Sequence, residues 1–282
     1  MKKHAKRRTG KENKPIGVFD SGLGGLTVVR EMRRLLPSEA IIYFGDIARL
    51  PYGIKSKEQI LSFSIQNTLF LLKHKIKALV VACNSSSSAA YSFLKNHFNL
   101  PVVDVIEPAA RAAVEMTRSG KIGIIATQST IASGAYERAL KRLKPSIKVT
   151  QMACPLFVPL VEEGWIDGKI TEDIVREYLK PLKRERFDTL ILGCTHYPLL
   201  KNIIQRHVGA GIQLVDSARP TAEKLSSILE KNELCYHSPR NGKLKIFVSD
   251  LPRNFIRIGE RFLGEKLNDV KVVRENETGF RK

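Results

Sequence analysis

Short runs of Val, Ile and Leu without polar alternation punctuate the chain, and between them apolar residues recur every three or four positions. The runs predict strands at Pro15–Phe19, Ala40–Phe44, Ala78–Ala82, Pro101–Val105, Lys121–Ala126, Lys148–Met152, Thr189–Leu192, Ile212–Val215, Leu244–Val248 and Val270–Val273. Uninterrupted apolar strands suit a sheet covered on both faces. The three-to-four spacing is plain in Gly25–Leu36, where Leu26, Val29, Met32 and Leu36 form one stripe. It predicts further helices at Glu58–Leu72, Glu107–Met116, Tyr136–Leu143, Glu172–Leu182 and Pro220–Leu229. Strand and helix alternating over this length predict an α/β fold with mainly parallel sheets.

Two segments resemble each other. Lys77–Ser88 (KALVVACNSSSS) and Asp188–Leu200 (DTLILGCTHYPLL) each run from strand through a cysteine and hydroxyl residues toward a helix. Open α/β sheets bind ligands beyond the carboxyl ends of their strands, where both cysteines fall. Two sheets that bring such ends to one cleft would aim Cys83 and Cys194 at each other. A pseudo-symmetric pair of α/β domains is therefore expected, and 282 residues suffice for two domains of about 100–150 each.

Composition narrows the function classes. No apolar run approaches the roughly 18 residues that would span a bilayer, and the basic start MKKHAKRRTGKENK lacks the apolar region of a secretory signal. A cytoplasmic protein with no membrane contact is expected. The net charge is +19, and seven Lys or Arg against Glu12 in the first fourteen residues supply +6 of it, leaving +13 on the body. This excess favours non-specific polyanion contacts through the basic tail. With 7% aromatic residues and no interleaving of aromatics with Arg and Lys, it does not build a stacking platform for nucleic acid.

Four cysteines, none in a CxxC pair, do not make a disulfide framework in a chain this long. The ordinary fate of each is a buried small hydrophobe. Cys83, however, precedes Asn84 and four serines, and a hydroxyl-rich helix start binds carboxylates and lowers a thiol pKa. Cys194 stands in Gly193-Cys194-Thr195-His196-Tyr197-Pro198, where His196 two residues on reads as an acid/base partner. A metal needs three or four ligands, and nothing in the sequence completes a set. The glycine-rich turn Phe19–Gly25 is not a dinucleotide fingerprint, because the third glycine would fall on Thr27. Asp20 at its head is unfriendly to phosphate but suited to orienting a thiol or meeting an ammonium group. Pro51-Tyr52-Gly53 reads as a rigid turn that a ligand can approach closely.

Taken together, these residues resemble the glutamate racemases within the aspartate/glutamate/hydantoin racemase superfamily. The matching stretches are Phe19–Gly25, Gly45–Gly53, Ala82–Ser85, Ala153–Glu162 and Gly193–Pro198, in family order. The resemblance implies two flavodoxin-like domains with the active site between them, no cofactor and no metal. It implies racemisation of L-glutamate to D-glutamate for peptidoglycan synthesis, by two cysteines acting as bases on opposite faces, in a homodimer. Carried over by position, Cys194 would take the α-proton from L-glutamate and Cys83 from D-glutamate. Asp20 would assist the Cys83 side; Glu162 and His196 would assist the Cys194 side. Ser21, Pro51, Tyr52, Gly53, Asn84, Ser85, Thr127, Thr130 and Thr195, with Asp20 and His196, would hold the substrate.

The implied chain path places 15–106 and 216–282 in the first domain and 107–215 in the second, with 1–14 a disordered basic tail. The chain departs from the family pattern at Ser85 and Ile47, where the family has Thr, and at Ala126, where it has Gly. Two rivals remain: an aspartate racemase or related superfamily member, and a polyanion-binding protein on a vestigial racemase fold, which the net charge motivates.

Overall fold

The computed structural model describes residues 10–273. In chain order its strands are β1 (Ile16–Asp20), β2 (Ile41–Gly45), β3 (Ala78–Val81), β4 (Val102–Asp104), β5 (Lys121–Ala126), β6 (Lys148–Ala153), β7 (Thr189–Gly193), β8 (Gln213–Asp216), β9 (Leu244–Val248) and β10 (Val270–Val272). Each lies within one residue of its expected bounds. The helices are α1 (Leu26–Leu35), α2 (Lys57–Leu72), α3 (Asn84–His97), α4 (Ile106–Met116), α5 (Gln128–Ala132), α6 (Ala135–Leu143), α7 (Phe157–Glu162), α8 (Lys169–Leu182), α9 (Lys201–Val208), α10 (Ala218–Lys231) and α11 (Phe255–Leu263).

The strands form two sheets, β10-β9-β2-β1-β3-β4 and β6-β5-β7-β8, and every described pairing is parallel. Stripped of β9 and β10, the first sheet has the same second-first-third-fourth strand order as the other. That is the flavodoxin-like order, in which the chain turns to opposite sides of the sheet after its first strand and leaves a crevice beyond the first and third strands. The two crevices lie beyond β1 and β3 and beyond β5 and β7. Cys83 follows β3 and Cys194 follows β7, so the cysteines occupy equivalent positions of a repeated unit.

Helices cover both faces, as the apolar strands require. The α1 helix packs on α10 and α11, α2 on α3, and α4 on α6. One apolar cluster runs from Val18, Leu26 and Val80 beside the first sheet to Phe157, Leu192 and Tyr197 beside the second. A continuous dry contact of this kind holds the two crevices face to face, because separating the sheets would return that surface to water.

Asp188, just before β7, ties the second sheet together at its far end. Its carboxylate accepts from Thr117 Oγ1 at 2.5 Å and from the backbone N–H of Arg118 at 2.8 Å and Ser119 at 2.6 Å. Burial alone would raise its pKa, but these hydrogen bonds outweigh it and hold the carboxyl below its usual range. A depressed folded-state pKa means stability that is present above the unfolded value of about 3.9 and is lost as pH falls. Asp188→Asn is expected to destabilise the protein by about 1–3 kcal/mol at pH 7. In urea unfolding the gap from the unmodified chain should narrow as pH drops below that unfolded value.

Residues 1–9 of the expected basic tail lie outside the described residues. Residues 11–14 form a turn in which Lys14 N–H donates to Lys11 O at 3.2 Å, and the Glu12 carbonyl accepts from buried Lys77 Nζ at 2.7 Å. Among the described residues, no helix is long and apolar enough to cross a membrane.

Candidate active site

Both crevices open into one small cavity, lined by Cys83 and Cys194 together. On the first-sheet side Cys83 caps the N-terminus of α3, with φ and ψ still extended. Its thiol donates to Ser21 Oγ at 3.6 Å. Burial pushes the Cys83 thiol up to about 12 and the nearby Asp20 carboxylate adds to the rise, while the Ser86 backbone N–H and Ser21 hydroxyl offset only part of it. The depressed thiol expected from a hydroxyl-rich helix start is therefore not found. A dry wall shared with a carboxylate outweighs the helix terminus. Asp20 itself is fully buried behind the cavity. Its Oδ2 accepts from Gly22 N–H at 2.9 Å and its Oδ1 from Thr195 Oγ1 at 3.4 Å. Burial raises its pKa, against the opposing charge of His196.

The second-sheet side is built differently. Cys194 Sγ lies 3.9 Å from His196 Nδ1, and His196 Nε2 meets Glu162 Oε1 at 2.5 Å. Burial would lower the pKa of His196, but its bonds to Cys194 and Glu162 prevail and hold it well above its ordinary value. The ring is fixed between a sulfur and a carboxylate, and both contacts favour its protonated form. Phe262 of α11 packs edge-on against it, ring centroids 5.4 Å apart. One thiol is thus held protonated by burial and a nearby carboxylate, and the other lies against the ring of His196. Two-sided proton transfer needs that inequality.

Hydroxyls and amides close the seam between the sheets. Ser85 Oγ is 3.0 Å from Thr127 Oγ1, and Thr130 backs both, at 3.0 Å from Thr127 Oγ1 and 3.4 Å from Ser85 Oγ. Asn84 Oδ1 accepts from Tyr136 OH at 2.7 Å, leaving the buried Nδ2 without a partner among the described residues. A buried amide donor on a cavity wall is available to a substrate carboxylate. Pro51, Tyr52 and Gly53 form a further stretch of wall, with Gly53 close against Thr127. Asp46, fully buried, fixes that wall by accepting from Tyr52 OH, from Arg49 Nε at 2.7 Å and from Ser249 Oγ at 3.0 Å.

Of the residues expected at the site, Ser21, Pro51, Tyr52, Gly53, Cys83, Asn84, Ser85, Thr127, Cys194, Thr195 and His196 line the cavity. Asp20, Glu162 and Thr130 stand one layer behind, hydrogen-bonded to Thr195, His196 and Thr127. Leu50 and Val158 also line it and were not foreseen. Each is an apolar residue inside a matched stretch, with nothing chemical to mark it. Among the described residues, no group of three or more His, Cys, Asp or Glu could hold a metal ion.

The family model for Asp/Glu/hydantoin racemase matches residues 16–225. The chain belongs to that family. It is 51% identical over 260 residues to a glutamate racemase of Geobacter metallireducens, covering 92% of this chain and 96% of that one. Among solved structures, a glutamate racemase isoform from Bacillus anthracis superposes with a TM-score of 0.89 at 42% identity, over 93% of this chain and 98% of that one. The Francisella tularensis glutamate racemase, crystallised in complex with D-glutamate, gives 0.88 at 38% identity with the same coverages.

Within this racemase family, the departures noted in the sequence differ in weight. Ile47 is buried in the shared apolar cluster and does not line the cavity. Ser85 does line it, so the methyl it lacks relative to Thr is missing at the seam. The glycine-rich turn also finds its reason. A Cβ at Gly24 would stand 2.2 Å from Thr195 Oγ1 and 2.7 Å from His196 Nδ1. The turn is glycine because the second crevice presses onto it, and no phosphate is needed to explain it. Gly24→Ala should displace Thr195 and His196 and lower kcat/KM by about 10²-fold, with a far-UV spectrum that is unchanged.

Proposed function

We propose that this protein racemises glutamate without a cofactor, using Cys194 and Cys83 as the two bases of one reaction. The observation that carries this reading is the lining of a single small cavity by both cysteines from equivalent positions of the repeated unit. The Cys194 thiolate takes the α-proton of L-glutamate, and the electron pair stays on the α-carbon. The Cys83 thiol then gives its proton to the opposite face, which leaves D-glutamate, a Cys194 thiol and a Cys83 thiolate. The next D-glutamate reverses these roles. His196, held charged by Glu162, balances the Cys194 thiolate. Asp20 disfavours premature ionisation of Cys83. Asn84, Ser85, Thr127, Thr195 and the Tyr52–Gly53 wall hold the carboxylates and ammonium group, donors that neither ionise nor compete for the proton.

In this reading 15–106 with 216–282 forms one domain and 107–215 the other, and the protein acts in the cytoplasm as a homodimer that supplies D-glutamate to peptidoglycan synthesis. The basic N-terminal segment contacts polyanions independently of catalysis. The substrate is tested by following optical rotation of L-glutamate and L-aspartate in turn, with chelator present and no cofactor added. Loss of rotation with glutamate supports the assignment; inversion of aspartate alone overturns it. Polyanion binding that disappears on deleting residues 1–14, with no turnover of either amino acid, would favour the vestigial-fold alternative.

A further inference from the structure

A second concave site lies one residue layer from the substrate cavity, on the outer side of the same seam. It holds about 360 Å³ between the start of α2 on one side and α5 and α6 on the other, a size within the ordinary range of small-ligand sites. Lys55, Lys57 and Arg138 line it, and no carboxylate among the described residues does. None of the three cations makes an ion pair among the described residues; Arg138 Nη1 donates to Ser133 O at 2.7 Å, and Lys55 Nζ stands 5.9 Å from the centre of the Phe63 ring. Like charges gathered in a concavity raise its potential and favour a counter-anion.

The rest of the lining suits such a ligand. Ser56, the N-cap of the sixteen-residue α2, lines the site together with Lys57, so the positive end of that helix faces the cleft. Ser129 lines it too, and its hydroxyl donates to Ser85 Oγ at 3.0 Å, Ser85 being part of the substrate cavity wall. Buried Ile60 lies among the lining residues and offers no competing polar group.

We infer that this cleft binds a small multivalent anion, bridging Lys57 on the first-sheet side of the seam to Arg138 on the second, at a site separate from the substrate's. The chemical class is a compact di- or trianion with phosphate or carboxylate oxygens, since two point-charge lysines and one planar guanidinium serve either kind.

The test is calorimetric titration of the full chain with inorganic pyrophosphate at ionic strength held constant with chloride, with and without saturating glutamate. The expected result is a single saturable site whose affinity survives saturation with glutamate. In K57Q/R138Q that affinity should fall by about tenfold or more, while basal racemisation and the melting temperature stay unchanged. Binding that is equally tight in the double variant places the anion elsewhere, on the basic N-terminal segment or in the substrate cavity, and overturns the inference. Displacement by glutamate overturns it too, as does the absence of saturable heat. The readout is binding, so its failure leaves the proposed racemisation untouched.

Discussion

With either Cys83 or Cys194 replaced by serine, kcat/KM for racemisation is expected to fall by about 10²–10⁴-fold, the range that removal of a positioned acid or base commands. A serine hydroxyl at either place neither ionises near neutral pH nor gives up its proton readily, so one half of the transfer fails. The remaining thiol still works alone on reactions that need one base. From a chlorinated glutamate analogue of one hand, each single variant should remove the α-proton and expel chloride, and the two variants should accept opposite hands. Substantial racemisation by either variant, or elimination from both hands by one of them, would contradict the assignment of one face to each sulfur.

The second large effect lies in the asymmetry between the sides. His196→Asn is expected to lower kcat/KM by about 10²–10³-fold, because Cys194 loses the ring nitrogen 3.9 Å from its sulfur. Glutamate enantiomers are equally stable in water, so kcat/KM must fall by the same factor in both directions. The asymmetry instead appears in the individual kcat and KM values. Glu162→Gln is milder and shows in the pH profile. Glu162 is one of the groups that hold His196 above its ordinary pKa. Without it the ring should lose its proton at lower pH, and the alkaline limb of kcat/KM should move to lower pH. An alkaline limb that stays in place would mean that the Glu162 contact carries no charge to the sulfur.

Much of this was legible in the sequence for definite physical reasons. Strands buried on both faces write themselves as unbroken Val/Ile/Leu runs, which is why all ten lie within one residue of their expected bounds. The stripes of α1, α2, α4, α6, α8 and α10 were equally plain, whereas the fourteen-residue α3 was read only from its hydroxyl-rich start. Short helices were not. The α7 helix has six residues and contains Pro159, and α11 carries Gly259 at its centre. That glycine is there because a Cβ would stand 2.4 Å from Leu267 Cδ1, a tertiary cause no local pattern reveals. With α11 unread, the packing of Phe262 on His196 was also out of reach.

At the site, residue types that are chemically conspicuous were found, and the cavity gathers them. What stayed hidden was the balance of forces around them. The hydroxyl run after Cys83 pointed to a lowered thiol pKa, but burial and Asp20 drive it the other way. Burial depth and the approach of a carboxylate from another strand are properties of the folded unit. Leu50 and Val158 were missed for the complementary reason, that an apolar wall residue looks like any core residue until the cavity is seen.

The two sulfurs are tested most directly by the fate of hydrogen in a single pass. Protium-labelled L-glutamate is incubated with the protein in deuterium oxide, and the reaction is stopped early for proton NMR of the separated enantiomers. The D-glutamate formed should carry deuterium at the α-carbon, delivered by Cys83, while the L-glutamate recovered keeps its protium. D-glutamate that retains protium, or early washout from the recovered L-glutamate to the same extent as in the product, would mean that one base serves both faces.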